Sequence, residues 1–105
     1  MWIKIDKNLF LSYLQKLKEK GIEKVKVSIE KYSSATIVKK ENVELQIEKI
    51  EEYSNYAKKI RYDTKYETIY ICVHYKVIIH IYIIDDENFD ELKEIAKAQY
   101  VVEQL

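Results

Sequence analysis

Proline is absent from the 105 residues, and glycine occurs once, at Gly21. One glycine excludes a glycine-rich phosphate loop and the glycine-flanked serine elbow of many hydrolases, since both need several residues without a Cβ. No repeat, linker or low-complexity tract interrupts the chain, so residues 1–105 are expected to form one ordered domain. The single cysteine, Cys72, excludes an internal disulfide and a cysteine-rich zinc site, and suits a reducing compartment. Arg61 is the one arginine beside 17 lysines. That scarcity weighs against a sequence-specific duplex reader, because guanine in the major groove is read by bidentate arginine. The segment Met1-Trp2-Ile3-Lys4-Ile5-Asp6 has no apolar signal core, and the Ile-rich run near residue 75 is broken by His74, Lys76 and His80. These features predict a soluble cytoplasmic protein with no membrane contact, no cofactor and no metal.

Charge of either sign is not in excess: the formal net charge is zero. An extended electrostatic grip on nucleic acid is therefore not expected from the whole chain. Its distribution is uneven, with seven Lys against three acids in residues 1–26 and seven acids against two Lys in residues 85–105. The simplest arrangement sets two terminal helices of opposite charge side by side on one sheet face. Abundant Lys, Glu, Ile and Tyr suits an AT-rich genome and a hot habitat, such as that of thermophilic archaea and their viruses.

What the chain does have is one dense strand signal, residues 66–84. Ile69, Ile71, Val73, Val77, Ile79, Ile81 and Ile83 share one parity, whereas Thr68, Tyr70, Cys72, His74, Lys76, Ile78, His80 and Tyr82 share the other. Strand side chains alternate faces, so the aliphatic set belongs on a core and the mixed set on an open face. Drawn straight, the stretch would run roughly 60 Å at about 3.3 Å per residue, against about 35 Å for a compact domain of this length. It must bend, fold back or cross into a second subunit. A three-residue loop at His74-Tyr75-Lys76 pairs Val73 with Val77, Ile71 with Ile79 and Ile69 with Ile81, which keeps the aliphatic face intact. It sets Tyr70 opposite His80 and Thr68 opposite Tyr82. One long strand continuing across a dimer is the alternative, since a tight hairpin favours Gly or Asn and neither is present.

Elsewhere the periodicity is local. Asp6 caps a helix over 6–20 with an apolar stripe of Leu9, Phe10, Tyr13, Leu14 and Leu17, and Gly21 closes it. Trp2, Ile3 and Ile5 form a lead-in strand or pack under that helix. Val25, Val27 and Ile29 alternate with polar residues; a turn at Ser33-Ser34, a short strand from Ala35 to Lys39, a turn at Glu41-Asn42 and a strand through Val43, Leu45 and Ile47 complete a three-strand meander. Residues 49–61 fit a short amphipathic helix better than a continued strand. A last helix starts at Asp85, Asp86 or Asn88, with Asn88 and Glu91 spaced as a capping box and Phe89, Leu92, Ile95, Ala96 and Val102 on one face. The fold class is α+β: an antiparallel sheet of about five strands with N- and C-terminal helices on one face, in the order α-β-β-β-(α)-β-β-α.

Four constellations bear on function. The run from Tyr53 to Tyr66 interleaves aromatic and basic residues, and Tyr53, Tyr56, Lys58, Lys59, Arg61, Tyr62 and Lys65 suit single-stranded nucleic acid, with bases on rings and phosphates on cations. Cys72, His74 and His80 offer two or three ligands of the four a structural zinc wants; a small apolar thiol with two interfacial imidazoles is the simpler account. Asp85-Asp86-Glu87 suits a helix start better than a cation site. Glu91-Leu92-Lys93 falls on a helix and does not build a strand-borne nuclease centre. The fourth constellation is the open face itself, Thr68, Tyr70, Cys72, Ile78, His80 and Tyr82, an apolar patch that a twofold copy would cover. The sequence thus predicts a non-catalytic binding protein, a homodimer acting on a protein partner as a regulator or inhibitor, virus-encoded in one version. Single-stranded nucleic-acid binding is the alternative.

Overall fold

In a computed structural model, residues 1–34 and 36–105 are described, the side chains of Tyr75 and Asp86 apart. The elements are β1 (Trp2–Lys4), α1 (Lys7–Glu19), β2 (Lys24–Ser33), β3 (Thr36–Gln46), α2 (Ile47–Asn55), β4 (Ala57–Asp63), β5 (Thr68–Tyr75), β6 (Val77–Ile83) and α3 (Asp86–Gln104). The strands form one antiparallel six-stranded sheet in the order β1-β4-β5-β6-β2-β3, one strand more than the sequence suggests. Two strands lie outside the expected five, Trp2–Lys4 and Ala57–Asp63, while two strands of the expected meander are the single strand β3.

The central stretch is a hairpin within one chain, with its register two residues from the expected one. Val73 pairs with Ile79, Ile71 with Ile81 and Ile69 with Ile83. The turn narrows to Lys76, whose φ of 65° lies in the left-handed region that favours glycine. Tyr75 and Val77 therefore join the ladder. A shift of two keeps parity, so the aliphatic set still lies on the core face. On the outer face, however, Tyr70 now opposes Tyr82, and Cys72 opposes His80.

Local signals set the first helix. Asp6 Oδ2 accepts the Asn8 and Leu9 N–H groups at 3.0 and 3.2 Å. At its end Gly21 takes φ 85° and donates to Lys18 O, while Ile22 donates to Leu17 O, which satisfies two terminal carbonyls. The expected three-strand meander is instead one long hairpin: β3 runs through Glu41-Asn42 without turning, opposite Ile29 and Ser28. A polar pair costs little on an edge strand, and charges there discourage further pairing. Ala35, the expected start of that strand, lies outside the described residues. Residues 49–61 divide: α2 ends at Asn55 and β4 begins at Ala57, so neither a single helix nor a continued strand holds.

Phe10, Leu14 and Leu17 of α1, Ile47 and Ile50 of α2, and Phe89 and Leu92 of α3 pack on Val25, Val27, Ile60, Ile69, Ile71, Ile81 and Ile83 of the sheet. The three helices thus cover one face. The terminal helices meet through aromatic rings, with Phe89 6.5 Å from Phe10 and 5.7 Å from Tyr13, and Tyr13 Oη donates to Asn88 O at 2.6 Å. The ion pair from α1 runs to α2 instead, Lys18 to Glu51 at 2.8 Å. Asp85 caps α3, accepting the Asn88 N–H at 3.2 Å and the Asn88 side-chain amide at 2.7 Å, so this pair replaces the expected Asn88 and Glu91 box. Val102 is exposed, because the last turns of α3 run past the core.

Candidate binding face

Side chains of the second parity make the face that no helix covers. Register aligns them in rows across the sheet: Lys4, Arg61, Tyr70, Tyr82 and Ser28 in one, and Lys59, Cys72, His80 and Glu30 in the next. His74, Ile78 and Tyr32 form a third row toward the Lys76 turn. Pairing of β1 with β4 puts Trp2 opposite Asp63 and next to Tyr70.

The rings form one connected cluster. Trp2 meets Tyr70 edge-on at 5.5 Å, Tyr70 lies 5.2 Å from Tyr82 and 5.1 Å from His80, and His80 lies 4.7 Å from Tyr32. These separations fall in the range where edge-to-face and tilted ring pairs attract. Glu30, only 8% exposed, sits among them and accepts the Tyr32 hydroxyl at 3.1 Å. Burial, reinforced by the Glu30 carboxylate, pushes the Tyr82 phenol up to about 12. Burial also raises Tyr70, with the neighbouring Cys72 thiol reinforcing the effect. His80 is held below its ordinary value of 6.5 by burial, with Glu30 opposing that effect and His74 adding to it. Near neutral pH the tyrosine and histidine rings of the cluster are therefore uncharged.

Cations line the β1–β4 side. The Arg61 guanidinium lies 5.6 Å from the Trp2 ring centre. Beyond Lys4 the β1 strand stops while β4 continues, and a bulge between Ala57 and Lys59 leaves Lys58 outside the register. The result is a groove of about 540 Å³ whose walls include Lys4, Lys7, Lys58, Lys59 and Arg61. One carboxylate, Asp6, shares it and is engaged in capping α1.

The two residue sets expected from sequence therefore merge only in part. Tyr70, Cys72, His80 and Tyr82 adjoin Lys59 and Arg61 across the β4–β5 pairing. Thr68 turns its hydroxyl to Tyr66 O at 3.0 Å, and Ile78, 39% exposed, stands at the far end. Tyr62 leaves the nucleic-acid set: at 1% exposure it faces the helices, with the Lys97 ammonium 5.7 Å from its ring centre, because its parity in β4 is that of Ile60. Tyr53 also leaves it, half-buried on α2 with Lys49 over its ring at 5.1 Å. Tyr56 is exposed at the start of β4, and Lys65 lies on the β4–β5 turn. Trp2, Glu30, Tyr32 and Asp63 join the face although the sequence did not mark them for it. Alternation in Trp2-Ile3-Lys4-Ile5 and in Ser28-Ile29-Glu30 is the signal that gives their parity.

Among the described residues, no three His, Cys, Asp or Glu side chains gather to hold a metal ion, and no helix is long and apolar enough to cross a membrane. No family model matches the chain, nor does any curated protein or solved structure.

Proposed function

We propose that this protein binds single-stranded nucleic acid across its open sheet face and acts by binding rather than catalysis. One observation carries the reading: the Trp2, Tyr70 and Tyr82 ring cluster lies directly beside the Lys4, Lys59 and Arg61 edge. Bases stack on aromatic rings for about 1–3 kcal/mol each, and phosphates follow the adjacent cations. The zero net charge is no obstacle when five cations share one groove with a single capping carboxylate. Fluorescence anisotropy of a labelled oligonucleotide at several salt concentrations tests it. Three to five phosphate contacts give a log–log salt slope of about −2 to −3.5 for a single strand. No binding at low salt would overturn it.

Self-association is a second reading, favoured by the other end of the same face. There Ile37 and Ile78, both cross-strand neighbours of Tyr32, are exposed together, apolar surface that a second copy would cover. Light scattering on a sizing column tests it: a dimer that Ile78→Asp converts to a monomer supports it. A protein partner, expected of a regulator or inhibitor, would occupy this same apolar end.

A further inference from the structure

Trp2, Tyr66, Tyr70 and Tyr82 wall a pocket of about 240 Å³ at the β1 end of the open face, with Asp63 and Thr68 completing it. We infer that this pocket receives one nucleobase bearing an amino group on its base-pairing edge, guanine foremost, and that Asp63 reads it. The inference rests on the nucleic-acid reading above and assigns that site its base preference.

Size and wall chemistry set the first limit. Pockets for drug-sized molecules run about 300–1,000 Å³, so this one suits a single planar ring system. Its rings offer stacking surface, and Ile84 at the rim adds an apolar contact. The floor sets the second limit. Asp63 is only 7% exposed, and its Oδ1 accepts the Lys65 N–H at 2.9 Å, which leaves the carboxylate lone pairs for further donors that enter from solvent. An ionised carboxylate only accepts hydrogen bonds, so the ligand must bring the donors. Guanine presents two adjacent donors, its ring N–H and its amino group. Cytosine and adenine present one amino group beside an acceptor, and thymine presents a single N–H between two carbonyls.

An aromatic cage with a carboxylate is also the usual site for an alkylammonium ion. Here that occupant is opposed by the protein's own cations. The Arg61 guanidinium lies 5.6 Å from the Trp2 ring centre and the Lys65 ammonium 5.3 Å from that of Tyr66. Both would repel a cationic ligand, and both are placed to meet the phosphates on either side of an inserted base.

The test compares a labelled oligo(dT) with the same strand carrying one central dG, dA or dC, by anisotropy. The single dG is expected to tighten binding about tenfold, the low end for a hydrogen bond to a charged acceptor. Asp63→Asn keeps an oxygen for the Lys65 N–H and replaces the second oxygen with a donor. It should abolish the dG preference, so that the dG and oligo(dT) strands bind the variant alike. Tyr66→Ala, at a side chain 69% exposed, is a second variant with little folding burden and should lose the same preference. If dG and dT strands bind alike, or the preference survives both substitutions, the base assignment falls and the nucleic-acid reading stands. If no strand binds, both fall.

Discussion

Along β6, Ile79, Ile81 and Ile83 are buried beneath the helices, while Ile78, His80 and Tyr82 between them face away. The two sets differ in kind as well as in exposure. The sheet's covered face is aliphatic apart from Tyr62; the open face gathers rings, a thiol, a carboxylate and cations at fixed cross-strand positions. Solubility alone would favour simple polar residues on an uncovered sheet face, with lysine, glutamate and threonine outward. A ring cluster there is therefore the part of the molecule that folding does not require.

Substitutions that exchange the rules of the two faces should give unequal results. Ile81→Asp buries an unpaired carboxylate in the core and is expected to cost more than about 4 kcal/mol, enough to unfold much of the population, as read by circular dichroism in urea. The double variant Tyr70→Ala with Tyr82→Ala should leave the chain folded and weaken oligonucleotide binding at least tenfold, from about 1–3 kcal/mol per lost stack. An unchanged affinity would move the site off this face.

The titrating groups of the open face give opposite pH limits. His80 has its folded pKa below 6.5, so the unfolded chain takes up the proton first. Its stability contribution is full above pH 6.5 and is lost as the pH falls below that value, so Tm should drop on acidification less steeply in His80→Phe than in the natural sequence. Tyr82, raised from 10.0 to about 12, holds its proton longer in the folded state. That contribution is full below pH 10 and is lost as pH rises toward 12, which tyrosinate absorbance during alkaline unfolding would follow. The smallest effect on stability belongs to Ile78→Asp, three residues before Ile81 on the opposite face, at about 0.5 kcal/mol or less. A loss as large as that of Ile81→Asp would mean that Ile78 is covered.

How far the sequence alone reaches follows from which contacts are local. Asp6, Gly21 and the Leu9 to Leu17 stripe act within one helix and were legible, as was the alternation that puts Tyr70, His80 and Tyr82 on one face. The register of the central hairpin was not, because Lys76 adopts a left-handed φ without being glycine or asparagine, and so carries no turn signature. Nor could the run from Tyr53 to Tyr66 be recognised as three structures, since composition is blind to the break after Asn55. The remaining site residues arrive through pairing of distant segments: Trp2 meets Asp63, and Glu30 meets His80. No local pattern encodes those neighbours.

That strand order also bears on how the chain reaches its native state. β2 with β3 and β4 with β5 and β6 each close through short connections, so both units can zip quickly. Their union depends on one seam, where Val27 to Tyr32 must find Ile83 to Ile78 across some fifty residues of chain. With no proline to isomerise, closure of that seam is the natural slow step. Until it closes, the Tyr32–His80 contact does not exist, and the sheet presents two raw edges through which neighbouring molecules can exchange hairpins.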